Sequence, residues 1–297
     1  MKIGLIDVDG HNWPNLALMK LSAWHKARGD TVEWWWGWGQ YDRVYMSKVF
    51  DGTYTPDVPE PVNAAEVVKG GTGYGLDNAL PEEVEHTCPD YSLYPEACDT
   101  AYGFLTRGCP RGCPFCIVAE KEGRRARKVA DLSEWWCGQR NIKLLDPNLL
   151  ACPDHLTLLG QLADSEAEVD YTQGLDCRLL TVDNIAAINR TAIREIHFAW
   201  DRMEETERVL RGLELYAAHA ARKPHGMYGT VYTLTNYDTT LEQDLERICT
   251  LRDMGYDPYV MIYDKPHAPK RIKQLQRWCN NRRIFKTQPD FGKYVCR

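Results

Sequence analysis

The chain has 297 residues, with 36 Lys and Arg against 42 Asp and Glu, and its formal net charge of −6 leaves no global field to draw it to phosphate backbones. No apolar run approaches the ~20 residues that cross a bilayer, and Met1-Lys2-Ile3-Gly4-Leu5 reads as a strand rather than a leader, so a soluble, cytoplasmic protein that engages no membrane is expected. The length favours two domains or one barrel with an extension, and eleven cysteines, an odd number with three clustered, point to a reducing compartment rather than a disulfide framework.

Residues 1–80 read as a small α/β domain. Lys2 to Asp7 predicts a strand, Pro14 to Arg28 a helix closed by Gly29-Asp30, and Thr31 to Trp36 a second strand. Tyr41 to Ser47 and Glu66 to Lys69 predict two more, and strand, helix, strand in this order favours a parallel, Rossmann-like sheet. Gly70-Gly71-Thr72-Gly73-Tyr74-Gly75 follows at the edge where open α/β sheets place ligands, so Gly71 and Gly73 either admit a phosphate or cofactor tail or simply turn the chain. Trp34, Trp35, Trp36 and Trp38 form an apolar cluster suited to packing between two domains, or to walling a flat ligand.

Residues 81–100, rich in proline, acid and tyrosine, read as a linker. Ala101 to Thr106 then predicts a strand, and five more follow: Ile142 to Leu145, Val169 to Thr172, Glu195 to Ala199, Tyr228 to Leu234 and Tyr259 to Ile262. Helices fit between them at Asp154 to Ala163, Thr181 to Asn189, Met203 to Ala221 and Thr240 to Met254. Six strands over residues 101–265 alternate with helices, and residues 266–297 form an extension. The tail from Trp278 is expected to cover the open side of the second domain, and the basic stretches at 124–128 and 270–283 to be solvated helix faces.

Just past the first strand of the second domain lies Gly-Cys-Pro-Arg-Gly-Cys-Pro-Phe-Cys, with Cys109, Cys113 and Cys116 on a loop bent by Pro110, Gly112 and Pro114. Thiolates this close converge on one inorganic centre, and soft sulfur selects zinc or iron-sulfur. A structural zinc site wants four ligands, and no second Cys-x-x-Cys is present, so a cluster with one iron unprotected fits better. Cys88, Cys98, Cys137, Cys152, Cys177, Cys249, Cys279 and Cys296 lie far apart in sequence and read as buried small hydrophobes rather than ligands of a further cluster.

The spacing Cys-x-x-x-Cys-x-x-Cys, with Phe115 before the third cysteine and Leu105-Thr106-Arg107-Gly108 leading in, resembles the signature of the radical S-adenosylmethionine (radical SAM) superfamily. The resemblance implies a partial (β/α)6 barrel in which Cys109, Cys113 and Cys116 hold a 4Fe-4S cluster, with Phe115 beside the cofactor. It also implies that S-adenosylmethionine binds the open iron and is split by one electron, from a reductant such as flavodoxin or ferredoxin, to methionine and a 5′-deoxyadenosyl radical. That radical takes hydrogen from a small-molecule, nucleotide or peptide substrate. The first domain resembles a shortened cobalamin-binding domain found in one branch of the superfamily. That branch carries Asp-x-His-x-x-Gly, whereas this chain reads Asp7-Val8-Asp9-Gly10-His11-Asn12-Trp13, so His11 is either a cobalt ligand or a polar loop residue, and cobalamin-dependent methyl transfer is an alternative.

Polar residues at the ends of buried parallel strands are cheap only where water or a ligand satisfies them. Asp146, Asn148, Gln173, Asp176, Arg178, His197, Asp201, Asn236 and Tyr263 are thereby expected around one mouth, with Asp201 set aside as a helix cap. Arg178 suits the S-adenosylmethionine carboxylate, Gln173 or Asp176 the ribose hydroxyls, and Asp146-Pro147-Asn148 replaces the Gly-Gly-Glu stretch of many relatives. Tyr263 and His197, with Tyr232 and Trp200, are placed either to stack on a substrate or donate hydrogen, or simply to pack in the core as strand aromatics do. Two rival classes are a zinc-stabilised nucleic-acid-binding module, which the acidic balance disfavours, and an electron-transfer or sensing protein.

Overall fold

The computed structural model describes residues 1–10 and 13–294, so His11 and the segment 295–297 lie outside the described residues. The strands form two all-parallel sheets and one short hairpin among these residues, an α/β protein.

The first sheet holds β1 (Lys2–Asp7), β2 (Thr31–Trp34), β3 (Tyr41–Ser47) and β4 (Ala64–Gly70) in the order β2-β1-β3-β4, an arrangement compatible with a Rossmann-like fold. Helix α1 (Leu16–Ala27) joins β1 to β2; the Asn15 side chain caps it by accepting from the Leu18 amide at 3.2 Å, and Gly29, at φ +81°, turns the chain out of it. Leu18 and Leu21 of α1 pack on Ile3 and Leu5, while Val44 and Met46 pack with Ile6 on the opposite face. The tryptophans do not form an inter-domain wedge. Trp34, Trp36 and Trp38 are exposed, and Trp35 is held by Asn63 at 2.9 Å.

After the short helix α2 (Glu82–Glu85) come β5 (Thr100–Gly103), β6 (Thr106–Arg107), helix α3 (Val118–Lys121), β7 (Arg127–Lys128) and β8 (Asn141–Leu144). Then α4 (His155–Asp164), β9 (Glu168–Tyr171), α5 (Val182–Arg190), β10 (Ala192–Ala199), α6 (Thr206–His219), β11 (Thr230–Thr235), α7 (Leu241–Asp253) and β12 (Asp257–Ile262) alternate without exception. The second sheet takes β5, β8, β9, β10, β11 and β12 as neighbours in chain order. Alternation along the strands sends Ala101, Ile142, Val169, Ile196, Phe198 and Val231 into one core with Leu158, Ile185, Val209 and Leu213 of the helices. Each such side chain contributes roughly 1.5–3 kcal/mol when fully buried. The opposite face carries Tyr102, Lys143, Asp170, His197, Tyr232 and Tyr259.

Three expectations change here. The strand expected from Ala101 to Thr106 breaks after Gly103, and β6 pairs antiparallel with β7 instead, so the basic stretch at 124–128 is hairpin rather than helix. Among the described residues, the tail does not cover the polar face. Helices α8 (Lys270–Asn280) and α9 (Arg282–Thr287) pack Leu275, Trp278 and Phe285 against Val260 and Ile248, extending the helical layer. Asn280 and Gln276 satisfy the exposed edge of β12, the former accepting from the Val260 amide at 2.8 Å, the latter donating to its carbonyl at 3.0 Å. Finally, Cys88 and Cys137 are not isolated: their sulfurs are 3.0 Å apart as free thiols.

Candidate functional site

The cysteine loop occupies the connection between β5 and β8, where the other crossovers of this sheet carry a long helix. Asp146, just beyond β8, holds its root: the carboxylate accepts from the amides of Leu105 (3.1 Å) and Thr106 (2.6 Å) and from the Thr106 hydroxyl (2.6 Å). Burial pushes this carboxyl up to about 6, against those hydrogen bonds. Both oxygens are thus engaged with the protein, which makes Asp146 a tether of the loop rather than the free acceptor expected for a cofactor amine. Gly108, at φ +85°, lets the chain pass so close that a Cβ would lie 2.2 Å from the Arg125 carbonyl oxygen. The Cys109 amide donates to the Gly123 carbonyl at 3.1 Å, and the Cys116 amide to the Cys113 carbonyl at 3.0 Å.

All three thiols are free, Cys109 and Cys113 half-buried and Cys116 exposed. Among the described residues, Asp170, Glu195 and His197 form a set of three metal-ligating groups with all donor atoms within 4.8 Å of one another.

The loop is clamped to the neighbouring strand ends by Arg111, which lies between the first two cysteines. Arg111 pairs with Asp176 at 3.2 Å and with Glu205; Arg178 pairs with the same two carboxylates, to Asp176 at 2.6 Å. Two guanidinium and two carboxylate groups thus close into a ring of no net charge. Burial opposes the charge on Asp176, yet the hydrogen bond and charge of Arg178, with Arg111, hold its carboxyl below its ordinary value. Arg178 is therefore committed to protein carboxylates and acts as a positioning group, contrary to the expectation that it grips a ligand carboxylate. Asn148 links this ring to the thiols, its Nδ2 lying 3.3 Å from Asp176 Oδ2 and 3.5 Å from Cys109 Sγ. Its Oδ1 is buried with no hydrogen-bond partner.

The remaining expected residues divide. Gln173 is exposed, beside a small cavity lined by Asp146, Tyr171 and Leu175. Phe115 meets Tyr237 edge-on at 5.2 Å, and Tyr237 meets Tyr263 at 5.0 Å, so an aromatic row runs from the cysteine loop to the end of β12. Asn236 spends its amide on the Tyr263 carbonyl at 2.8 Å, fixing that turn. His197 lies inside β10 rather than at a strand end, stacked on Tyr232 at 5.1 Å. Asp201 is not a cap. It is half-buried beside Arg247 and Arg178 and within electrostatic reach of Cys113 and Cys116, and desolvation pushes its carboxyl up to about 6.

Gly71 and Gly73 are explained by packing. A Cβ on Gly71 would lie 2.2 Å from the Lys48 carbonyl oxygen and one on Gly73 2.3 Å from that of Phe50. Their neighbourhood spends its amides internally, Gly73 on the Lys48 carbonyl at 2.9 Å, Tyr74 and Gly75 on the Gly71 carbonyl. A phosphate cradle needs such amides free, so these three favour the turn reading of the glycines.

Sequence reasoning overlooked Arg111, Glu205, Asp170 and Glu195. Arg111 had a signal in its place between two cysteines; the others read as ordinary helix-start or strand residues. No protein-family model matches the chain, and a search of curated proteins finds no match.

Proposed function

We propose that the protein is a radical S-adenosylmethionine enzyme whose second sheet is a partial (β/α)6 barrel and whose Cys109, Cys113 and Cys116 hold a 4Fe-4S cluster. The observation that carries this reading is a loop with three free thiols at the C-terminal edge of six parallel strands in chain order, next to a buried Asn148 oxygen that lacks a donor. The donor set fits the group: three soft sulfurs, none in a disulfide with another cysteine among the described residues. A structural zinc site wants four protein ligands, whereas a polynuclear iron-sulfur centre takes one thiolate per iron.

When bound, such a cluster supplies the electron that cleaves the sulfonium of S-adenosylmethionine. The chain's own residues do the rest. Asn148 Oδ1 would accept a hydrogen bond from the amine of the methionine moiety, relieving its buried state, and exposed Gln173 would serve the ribose hydroxyls. Phe115, Tyr237 and Tyr263 form a wall against the adenosine and the substrate, with Tyr263, exposed at the end of β12, nearest the solvent side. Asp146 and the Arg111 ring keep the loop in place while the ligand enters and leaves. Residues 1–80 act as a scaffold for this site, since Glu85 ties Lys20 of α1 (3.1 Å) to Arg107 at the loop root (3.0 Å). This favours the cobalamin-free reading of the enzyme.

The test is anaerobic purification and cluster reconstitution, followed by dithionite, S-adenosylmethionine and measurement of 5′-deoxyadenosine. Brown, iron- and sulfide-bearing protein that forms 5′-deoxyadenosine supports the proposal. Colourless protein with one zinc and no iron returns the zinc-stabilised class. A cluster without cleavage returns the electron-transfer class.

A further inference from the structure

We propose that Asp170, Glu195 and His197 form a site for a divalent transition-metal ion of the manganese, iron or zinc kind, on the polar face of the second sheet and separate from the cysteine loop. The three donors lie within 4.8 Å of one another, with His197 Nε2 3.4 Å from Glu195 Oε2 and 3.7 Å from Asp170 Oδ1. An ion with bonds of 2.0–2.2 Å to nitrogen and oxygen spaces such donors about 3.4 Å apart at a tetrahedral angle. The geometry is already close to that of a coordination sphere.

Two further observations point to a ligand. Asp170 is only 5 % exposed, and its Oδ1 is buried without a hydrogen-bond partner, although the other oxygen meets Lys143 Nζ at 3.0 Å. Leaving a buried carboxylate oxygen unsatisfied is unfavourable unless something else fills that role. The backbone also departs from regular pairing at this place. The register shifts between Ile193 and Glu195, so that β10 spends two steps where β9 spends one, and Glu195 is turned to lie opposite Asp170. Bulges of this type re-aim a side chain, and this one brings a second carboxylate to the first. His197 is oriented by its stack on Tyr232, with the rings 6° from parallel, and half-exposed Glu195 leaves the ion a way in. One imidazole and two carboxylates suit borderline to hard divalent ions rather than thiolate-seeking ones.

The probe is Mn²⁺, which prefers oxygen and imidazole to thiolate, added to the full chain with its cluster reconstituted; free Mn²⁺ is counted by room-temperature electron paramagnetic resonance. One ion per chain is expected, lost in both His197→Ala and Glu195→Gln and kept in Cys116→Ala. Lys143→Met, which removes a competing cation, should tighten binding by roughly tenfold. Glu195→Gln changes a half-exposed side chain and keeps its shape, so it carries the test even where His197→Ala does not fold. No binding at about 1 mM free Mn²⁺, or stoichiometric binding undiminished in Glu195→Gln, overturns the proposal.

Discussion

In the four-stranded sheet the loops past the strand ends bond to one another: Asp9 accepts from the Val49 and Phe50 amides, Gly73 donates to Lys48, and Lys48 Nζ reaches Asp57 at 2.6 Å. At the same edge of the six-stranded sheet, the loops clamp one another through Arg111, Asp176, Arg178 and Glu205 but leave Asn148 Oδ1 without a donor and three thiols outside any disulfide. Both edges belong to parallel α/β sheets, and strand topology alone predicts a ligand at each. The difference lies in the hydrogen-bond accounting. The first edge answers the Val49, Phe50 and Gly73 amides and the Lys48 ammonium from within and leaves the Thr55 and Tyr74 hydroxyls unpartnered, whereas the second leaves the acceptor Asn148 Oδ1 unpartnered beside three cysteines.

Substituting any one of Cys109, Cys113 or Cys116 by Ala should break the second edge outright, with loss of bound iron and of 5′-deoxyadenosine to background, read by iron assay and chromatography. Next in size, Arg111→Ala opens the charge ring and leaves Asp176 and Glu205 to share Arg178. Unpairing buried charges costs about 3–5 kcal/mol, reduced here by partial exposure, so a clearly lowered melting temperature and reduced iron retention are expected. An unchanged melting temperature would show that the ring is not a clamp.

Gly71→Ala sharpens the contrast from the other side. Its Cβ meets a carbonyl oxygen at a positive φ, a strain of about 1–3 kcal/mol, yet the folded variant should produce 5′-deoxyadenosine at the parental rate. A selective loss of activity with stability intact would return the glycine loop to the functional site.

The smallest effect follows from Asp201, and its sign is opposite to that of a salt-bridged carboxylate. Its folded pKa, about 6, lies above the ordinary 3.8, so the folded state holds the proton longer than the unfolded chain does. Stability therefore falls as pH rises from about 4 to about 6, by at most roughly 3 kcal/mol from this group, and Asp146 adds a fall in the same window. Asp201→Asn should match the parent near pH 4 and melt a few degrees higher at pH 7. Equal melting at both pH values would remove Asp201 from the account.

Much of the scaffold was legible in order of residues. Tyr41–Ser47 shows its strand without tertiary help, and α4, α5 and α7 begin and end within about a residue of the expected limits, because apolar spacing and capping residues are local signals. Strand ends were legible as places where Asp146, Asn148 and Asp176 gather. Their partners were not, since a carboxylate in sequence looks the same whether it waits for a ligand, tethers two amides as Asp146 does, or closes an ion ring as Asp176 does. The register shift in β10 is invisible to period-two patterning, and with it the meeting of Glu195 and Asp170.

By itself the order of residues determined that this chain builds two parallel α/β sheets and presents three thiols on one proline- and glycine-bent loop, because these follow from periodicity, backbone preference and covalent spacing. Only the tertiary structure decided which polar groups remain unsatisfied, that Arg178 serves Asp176 and Glu205, that Gly71 serves the Lys48 carbonyl, and that His197 meets two carboxylates. The physical reason is that satisfaction of a buried polar group is a pairwise, through-space property, settled between residues far apart in the chain.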